Sequence, residues 1–142
     1  MLESFFPVGE VQPVDFATLE FSGKPNQYLM CPADLCSATP HAEPPVFELA
    51  AAELAEAWSA MVAREPRVAR LAEDTQALQF DYVQRSALWG FPDIITVRFI
   101  AATPETSTVA VFSRAIYGYG DLGVNRKRVT AWLRLLGEAV AR

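Results

Sequence analysis

The sequence predicts an α+β domain in which an antiparallel sheet of three to five strands carries two helices packed on one face. Apolar residues recur at helical spacing in two stretches, and they alternate with polar residues between those stretches. The links between the alternating segments are short, as in hairpins, which make neighbouring strands antiparallel. We expect residues 1–24 to form an extended, Pro-rich leader and residues 25–142 to form one domain, because 142 residues suit a single core.

The first 46 residues hold seven of the ten prolines and show little periodicity. They predict extended chain with two short strands, near Asp15–Phe21 and Asn26–Cys31. A helix is expected from about Ala50 to Arg64, and Pro66 stops it. Its apolar stripe consists of Leu54, Trp58, Met61 and Val62.

A β-rich block follows this helix, and a second helix follows the block. Alternation of apolar and polar residues predicts strands near Val68–Asp74, Leu78–Val83, Asp93–Ala101 and Ser107–Tyr117. The second helix is expected from about Val124 to Ala141, with one apolar face. All three tryptophans are expected in the core because of their large apolar area: Trp58, Trp89 and Trp132.

The hairpin links determine which side chains share a face of the sheet. A two-residue loop near residue 90 sets Asp81 opposite Arg98, and a loop at residues 102–106 sets Ile94 opposite Arg114. One face then collects apolar side chains for the core, and the other collects Arg85, Arg98 and Arg114. Such a cluster of guanidinium groups could bind a small anion or an acidic protein surface. The alternative is an ordinary solvated face, in which an Asp81–Arg98 ion pair contributes little.

Residues 118–123 match the G-x-G-x-x-G pattern of dinucleotide-binding loops. The context does not fit, because the preceding strands look antiparallel and Tyr119 is bulky where backbone must approach a pyrophosphate. The glycines still predict a tight loop. Three cations follow in the first helical turn, where the helix dipole disfavours them: Arg126, Lys127 and Arg128. A bound anion would resolve this conflict; alternatively, Asp121 caps the helix and the cations point into water.

Cys31 and Cys36 lie five residues apart in a segment that contains proline. They could be free thiols or form a local disulfide. A zinc site that added Asp34 and His41 would lack any recognised ligand spacing. The sequence therefore implies no metal and no cofactor.

The net charge of −5 argues against general nucleic-acid binding, but the charge is unevenly distributed. Residues 1–63 carry a net charge of −8, whereas residues 64–142 carry +3. No apolar stretch approaches the roughly 20 residues of a membrane-spanning helix, and the N-terminus lacks a signal-peptide pattern. The protein is expected to be cytoplasmic if this is its native N-terminus, and extracytoplasmic if an anchor or signal has been removed.

The segment from Phe112 to Arg128 resembles the C-terminal signature of domain-of-unknown-function family 1499. That signature runs Ser-Arg and then Gly-Tyr-x-Asp-x-Gly-x-Asn-Arg-x-Arg, and Pro25–Pro32, Pro45–Phe47 and Phe91–Ile94 add to the resemblance. It extends over about residues 25–140. It implies a mostly bacterial family without an established activity, many of whose members carry an N-terminal anchor or signal. An extracytoplasmic location would favour a Cys31–Cys36 disulfide.

The resemblance and the sheet face together select the candidate ligand-binding residues. The motif match points to Asp93, Arg114, Tyr119, Asp121, Asn125, Arg126 and Arg128, and the sheet face adds Arg85 and Arg98.

Three functions remain open at this point. The first is a non-catalytic module that binds a small anion or a protein partner. The second is a structural or assembly protein in which the Gly-rich loop and the arginines brace the junction of sheet and helix, with Arg114 paired to Asp121. The third is a hydrolase-like enzyme with Asp93 or Asp121 as general base, although the sequence holds no nucleophile–base set.

Overall fold

A computed structural model describes residues 6–141 and contains a five-stranded antiparallel sheet with two helices, which confirms the predicted α+β fold. Residues 1–5 of the predicted leader, and residue 142, lie outside the described residues. The elements in chain order are β1 (Gln27–Met30), α1 (Ala51–Val62), β2 (Val68–Asp74), β3 (Gln79–Arg85), β4 (Pro92–Thr103), β5 (Thr106–Ala115) and α2 (Val124–Val140).

The sheet is a meander from β2 to β5, to which β1 adds along the free edge of β5, giving the order β1-β5-β4-β3-β2. The strand predicted near Asp15–Phe21 is wrong. The chain turns there instead, because the Asp15 carboxylate accepts the Ala17 N–H at 3.0 Å and the Asp15 carbonyl accepts the Leu19 N–H at 2.9 Å. Local hydrogen bonds of this kind compete with strand pairing.

The register between β4 and β5 is as predicted, with Ile94 opposite Arg114. The predicted register between β3 and β4 is wrong by two residues, since Asp81 lies opposite Thr96 and not opposite Arg98. The connection runs from residue 86 to residue 91 and is longer than the two-residue turn that the sequence suggested. A slip by an even number of residues keeps every side chain on its predicted face.

The main core lies between the helices and the face of the sheet that was predicted to be apolar. The rings of Trp58 from α1 and Trp132 from α2 meet edge to face, with centroids 5.7 Å apart, and Trp58 also packs on Phe99 of β4. Each indole is at most 2% exposed. The third tryptophan was predicted wrongly, because Trp89 lies in the β3–β4 loop and is 57% exposed.

A second, smaller core covers the opposite face of the sheet. Phe16 lies on it together with β1 and the segment after β1, against Ala110 and Phe112 of β5. The two cysteines are buried in this core and form a disulfide. The face that carries Arg98 and Arg114 is therefore packed against residues 14–38 over part of its area.

We expect the double substitution Cys31→Ala/Cys36→Ala to lower the free energy of unfolding by about 2 kcal/mol, because the bond closes a short loop of the unfolded chain. Urea unfolding measures the loss. Dithiothreitol is expected to destabilise the wild-type protein by the same amount and to leave the double variant unchanged. A wild-type protein whose stability does not respond to the reductant would contradict the prediction.

Candidate functional site

Asn125 is fully buried at the start of α2 and uses the whole hydrogen-bonding capacity of its amide. Its nitrogen donates to the carbonyl of Asn26 at 3.1 Å and to the carboxylate of Asp121 at 2.7 Å. Its oxygen accepts from the Ser113 hydroxyl at 2.6 Å and from the Arg128 guanidinium at 2.8 Å. One side chain thus joins β1, β5, the Gly-rich loop and α2.

Arg128 extends this network to the other strands. Its guanidinium forms an ion pair with Asp93 of β4, with Nη2 and Oδ2 2.9 Å apart, and the two side chains are only 9% and 13% exposed. Its Nε donates to Gln84 of β3 at 2.5 Å, and its Nη1 also donates to Ser113 at 3.1 Å. Burial raises the pKa of Asp93, and the neighbouring Arg128 opposes that rise. Such a pair is costly to break, because the remaining partner is left charged and desolvated.

Asp121 occupies the N-terminal end of α2. Its carboxylate accepts the N–H groups of Gly123 at 2.8 Å and Asn125 at 3.2 Å, and its carbonyl accepts the N–H of Val124. Burial would raise the pKa of Asp121, but these hydrogen bonds and the one from the Asn125 side chain outweigh it and lower the pKa. The carboxylate of the chain itself therefore takes a place that an external anion would need.

The glycines of the loop let the chain reach this position. Gly118 and Gly123 have φ angles of 88° and 78°, in the left-handed region that side chains resist. The carbonyl of Gly118 accepts a hydrogen bond from the Asn26 side chain at 2.8 Å, which ties the loop to β1. Leu122 adopts a φ of 54° and is 96% exposed, so its apolar side chain is held outward at a conformational cost.

Arg114 lies on the opposite face of the sheet and does not meet the residues at the start of α2. Its Nη1 donates to Thr96 at 2.8 Å and to the carbonyl of Phe112, over whose ring the guanidinium lies. The Thr96 hydroxyl in turn donates to Asp81 at 2.5 Å. Burial lowers the pKa of Arg114 to about 10. The expected pairing of Arg114 with Asp121 is wrong, because alternate residues of β5 face opposite sides of the sheet.

The remaining candidates are dispersed. Arg85 donates to the carbonyls of Phe6 and Gly90, and so ties the β3–β4 loop to the start of the described chain. Arg98 is half-buried on the face opposite the helices. Tyr119 is 67% exposed, and Arg126 lines a separate pocket beside β1.

A cleft of about 600 Å³ opens beside the Asp93–Arg128 pair, between α2, the Gly-rich loop and the β3–β4 loop. Its volume is within the range of small-molecule sites. Ring and aliphatic side chains form much of its wall: Phe91, Tyr117, Val124, Ala131 and Trp132. Charged side chains line the rest: Glu65, Arg67, Arg85, Asp93, Asp121, Lys127 and Arg128.

The three carboxylates of the cleft have partners within the protein, whereas two of its cations are open to solvent. Glu65 accepts the indole N–H of Trp132 at 2.9 Å. Asp93 forms its ion pair with Arg128, and Asp121 accepts N–H groups at the start of α2. Arg67 and Lys127 are exposed. The Nε of Arg67 donates to the carbonyl of Arg85 at 2.9 Å, whereas the ammonium group of Lys127 has no hydrogen-bond or ion-pair partner within residues 6–141. Sequence reasoning missed Arg67 and Trp132 as cleft residues, because neither belongs to a local motif and only the packing of α2 brings them together.

A comparison with protein families matches residues 19–136 to the model described as "Protein of unknown function (DUF1499)". The chain belongs to the DUF1499 family. A search of curated proteins finds no match to this chain. The C-terminal motif that resembles the DUF1499 signature contains Asp121, Asn125 and Arg128, whose side chains join the loop, α2 and the sheet.

Two further properties of this DUF1499 chain bear on the site. Within residues 6–141, no group of three or more His, Cys, Asp or Glu side chains is arranged to hold a metal ion. None of the helices described above has both the length and the apolar character needed to cross a bilayer.

We expect Asn125→Ala to lower the free energy of unfolding by about 3 kcal/mol, because it leaves several buried polar groups without a partner. Urea unfolding measures the loss. The neighbouring exposed Arg126 gives a matched control, since Arg126→Ala is expected to change stability by no more than about 0.5 kcal/mol. Equal effects of the two substitutions would contradict the bracing role of Asn125.

Asp121 is also expected to contribute to the acid sensitivity of the fold. Because its folded-state pKa is lowered from the ordinary value of 3.8, its stabilisation is present above that pH and is lost as the pH falls through the folded-state pKa. Asp121→Asn should therefore flatten the dependence of unfolding free energy on pH below 3.8. Asp34→Asn, which changes an exposed side chain, serves as control. Identical slopes for wild type and Asp121→Asn would refute the prediction.

Proposed function

We propose that this protein is a non-catalytic binding module whose cleft takes a ligand with an anionic group and an apolar body. The single observation that supports this most directly is the distribution of charge around the cleft. Its carboxylates are bound internally, while Lys127 and Arg67 face solvent beside an apolar wall. The unpartnered ammonium of Lys127 and the exposed guanidinium of Arg67 attract an anionic group, and the wall offers burial to an alkyl or aryl portion.

Bracing and recognition belong to different residues of this region. Asn125, Asp121 and Arg128 brace the junction of sheet and helix, and their partners leave them little capacity for a ligand. Arg67 and Lys127, which stand at the cleft with solvent-exposed side chains, do the recognition. A bracing role and a ligand-binding role can thus coexist in this region, because different residues carry them.

A hydrolase-like role for Asp93 or Asp121 has less support. A general base needs a pKa near the working pH and a free lone pair aimed at the substrate. The pKa of Asp121 is lowered, and both of its oxygens accept hydrogen bonds from the chain. The pKa of Asp93 is raised, but an ion pair with Arg128 holds its carboxylate. We therefore favour binding without turnover.

The proposal is tested by isothermal titration with decyl phosphate below its critical micelle concentration. We expect Lys127→Ala to weaken binding about fivefold, the upper range for one exposed charge pair. Ala131→Leu should weaken it more, because the added methyl groups project from α2 into the cleft. Arg134→Ala removes a cation of the same helix that pairs with Glu138 outside the cleft, and it should bind like wild type.

Decanol, which has the same chain and no charge, should bind more weakly than decyl phosphate. The proposal fails if the wild-type protein binds neither compound. It also fails if Ala131→Leu binds decyl phosphate as tightly as wild type, because the ligand would then lie outside the cleft.

A further inference from the structure

Large apolar side chains that face solvent are concentrated in one region of the molecule. Within residues 6–141, eight of the ten exposed large hydrophobic residues belong to residues 88–91 and 116–124. Four of them are more than half exposed, and we call this group the apolar rim: Leu88 (71%), Trp89 (57%), Tyr119 (67%) and Leu122 (96%). The other two of the ten are Val46 and Leu71, which are single residues in other parts of the chain. A scatter of single residues needs no explanation, whereas a cluster of this kind marks an interaction surface.

The two loops that carry the rim lie side by side. The N–H of Ile116 donates to the carbonyl of Pro92, which joins the ends of the two loops. The ring of Phe6 packs between them, with its centroid 4.5 Å from that of Phe91 and 5.6 Å from that of Tyr117. Both loops also line the cleft. The four rim residues do not line the cleft themselves, but they belong to loops whose other residues do. The rim therefore adjoins the cleft that the proposed function assigns to an anionic amphiphile.

Cations accompany the apolar rim. Lys127 and Arg67 line the cleft, and Arg126 lies exposed in the same helical turn as Lys127. The side chains that line the cleft include four cations and three carboxylates, so their formal charge is +1. This contrasts with the net charge of −8 over residues 1–63.

We propose that the apolar rim docks this protein onto a membrane surface that contains anionic lipids. Trp, Tyr and Leu at loop ends are the residue types that enter the headgroup region, and nearby Lys and Arg are attracted to anionic headgroups. A protein partner is less favoured because Lys127, Arg67 and Arg126 accompany the rim, whereas the centre of a protein interface is depleted in charged residues. The inference rests on the proposed function in one respect, since the cleft would take its ligand from the membrane on which the rim docks.

Intrinsic fluorescence offers a direct test, because Trp89 is the exposed indole and the other two are buried in the core. Vesicles of equal parts phosphatidylglycerol and phosphatidylcholine should shift the emission to the blue, and vesicles of phosphatidylcholine alone should do so much less. Trp89→Phe should remove the shift while co-sedimentation with the anionic vesicles persists. Raising the salt concentration should weaken binding, because salt screens the cations.

Each loop is tested separately by co-sedimentation. Leu88→Ser and Leu122→Ser should each lower the partition coefficient about tenfold, and Lys127→Gln about fivefold. Val46→Ser, which changes a 60% exposed residue outside the rim, should leave partitioning unchanged. Because these substitutions lie at exposed positions, unaltered urea unfolding is expected and separates lost docking from lost folding.

Absence of both the blue shift and co-sedimentation overturns the inference. The inference is also overturned if the wild-type protein dimerises with increasing concentration, Leu122→Ser abolishes the dimer, and neither protein binds vesicles. A second copy of the chain would then cover the rim. Decyl phosphate binding without vesicle binding overturns the docking and leaves the proposed function intact. Vesicle binding by the wild-type protein, lost in Leu88→Ser and retained in Ala131→Leu, supports docking by the rim whether or not the cleft is filled.

Discussion

The buried polar junction between the sheet and the start of α2 constrains the rest of the structure. Strand alternation turns the side chains of Asp93 and Ser113 toward the helices, where a carboxylate and a hydroxyl are costly without partners. Arg128 and Asn125 of α2 supply those partners, and their geometry fixes the rotation and height of the helix on the sheet. The same helix forms one wall of the cleft, so the shape of the cleft depends on this internal hydrogen-bond network.

This junction also explains why three cations begin a helix whose dipole disfavours them. Arg128 turns inward, where Asp93 neutralises it, and Asp121 accepts the N–H groups of the first turn. Only Arg126 and Lys127 remain exposed. The unfavourable placement of these cations is therefore offset by the tertiary contacts of Arg128 and by the solvation of Arg126 and Lys127. Of these two residues, Lys127 lines the cleft, whereas Arg126 lines the separate pocket beside β1. We therefore assign recognition to Lys127 together with Arg67 and not to the motif as a whole.

Sequence periodicity predicted the fold class and the faces of the strands, because both depend on local alternation and short links. The register of β4 on β5 followed from a short loop, whereas the longer β3–β4 loop, held by Arg85, displaced the predicted pairing of Asp81 and placed Trp89 in solvent. The motif residues were found, but their partners were not. Hydrogen bonds such as that from Asn125 to Asn26 join residues far apart in the chain, and no local pattern encodes them.

The second core determines which of the two candidate surfaces is open to a ligand. Phe16, Leu29 and the Cys31–Cys36 bridge pack on the face that carries Arg114, whose guanidinium is held by Thr96 and a backbone carbonyl. A ligand there would have to displace ordered chain, whereas the cleft beside α2 is already formed. Because its wall is braced before any ligand arrives, binding there would incur little ordering entropy. The lower cost of binding therefore favours the cleft over the arginine face, although the arginine pattern is the more conspicuous feature of the sequence.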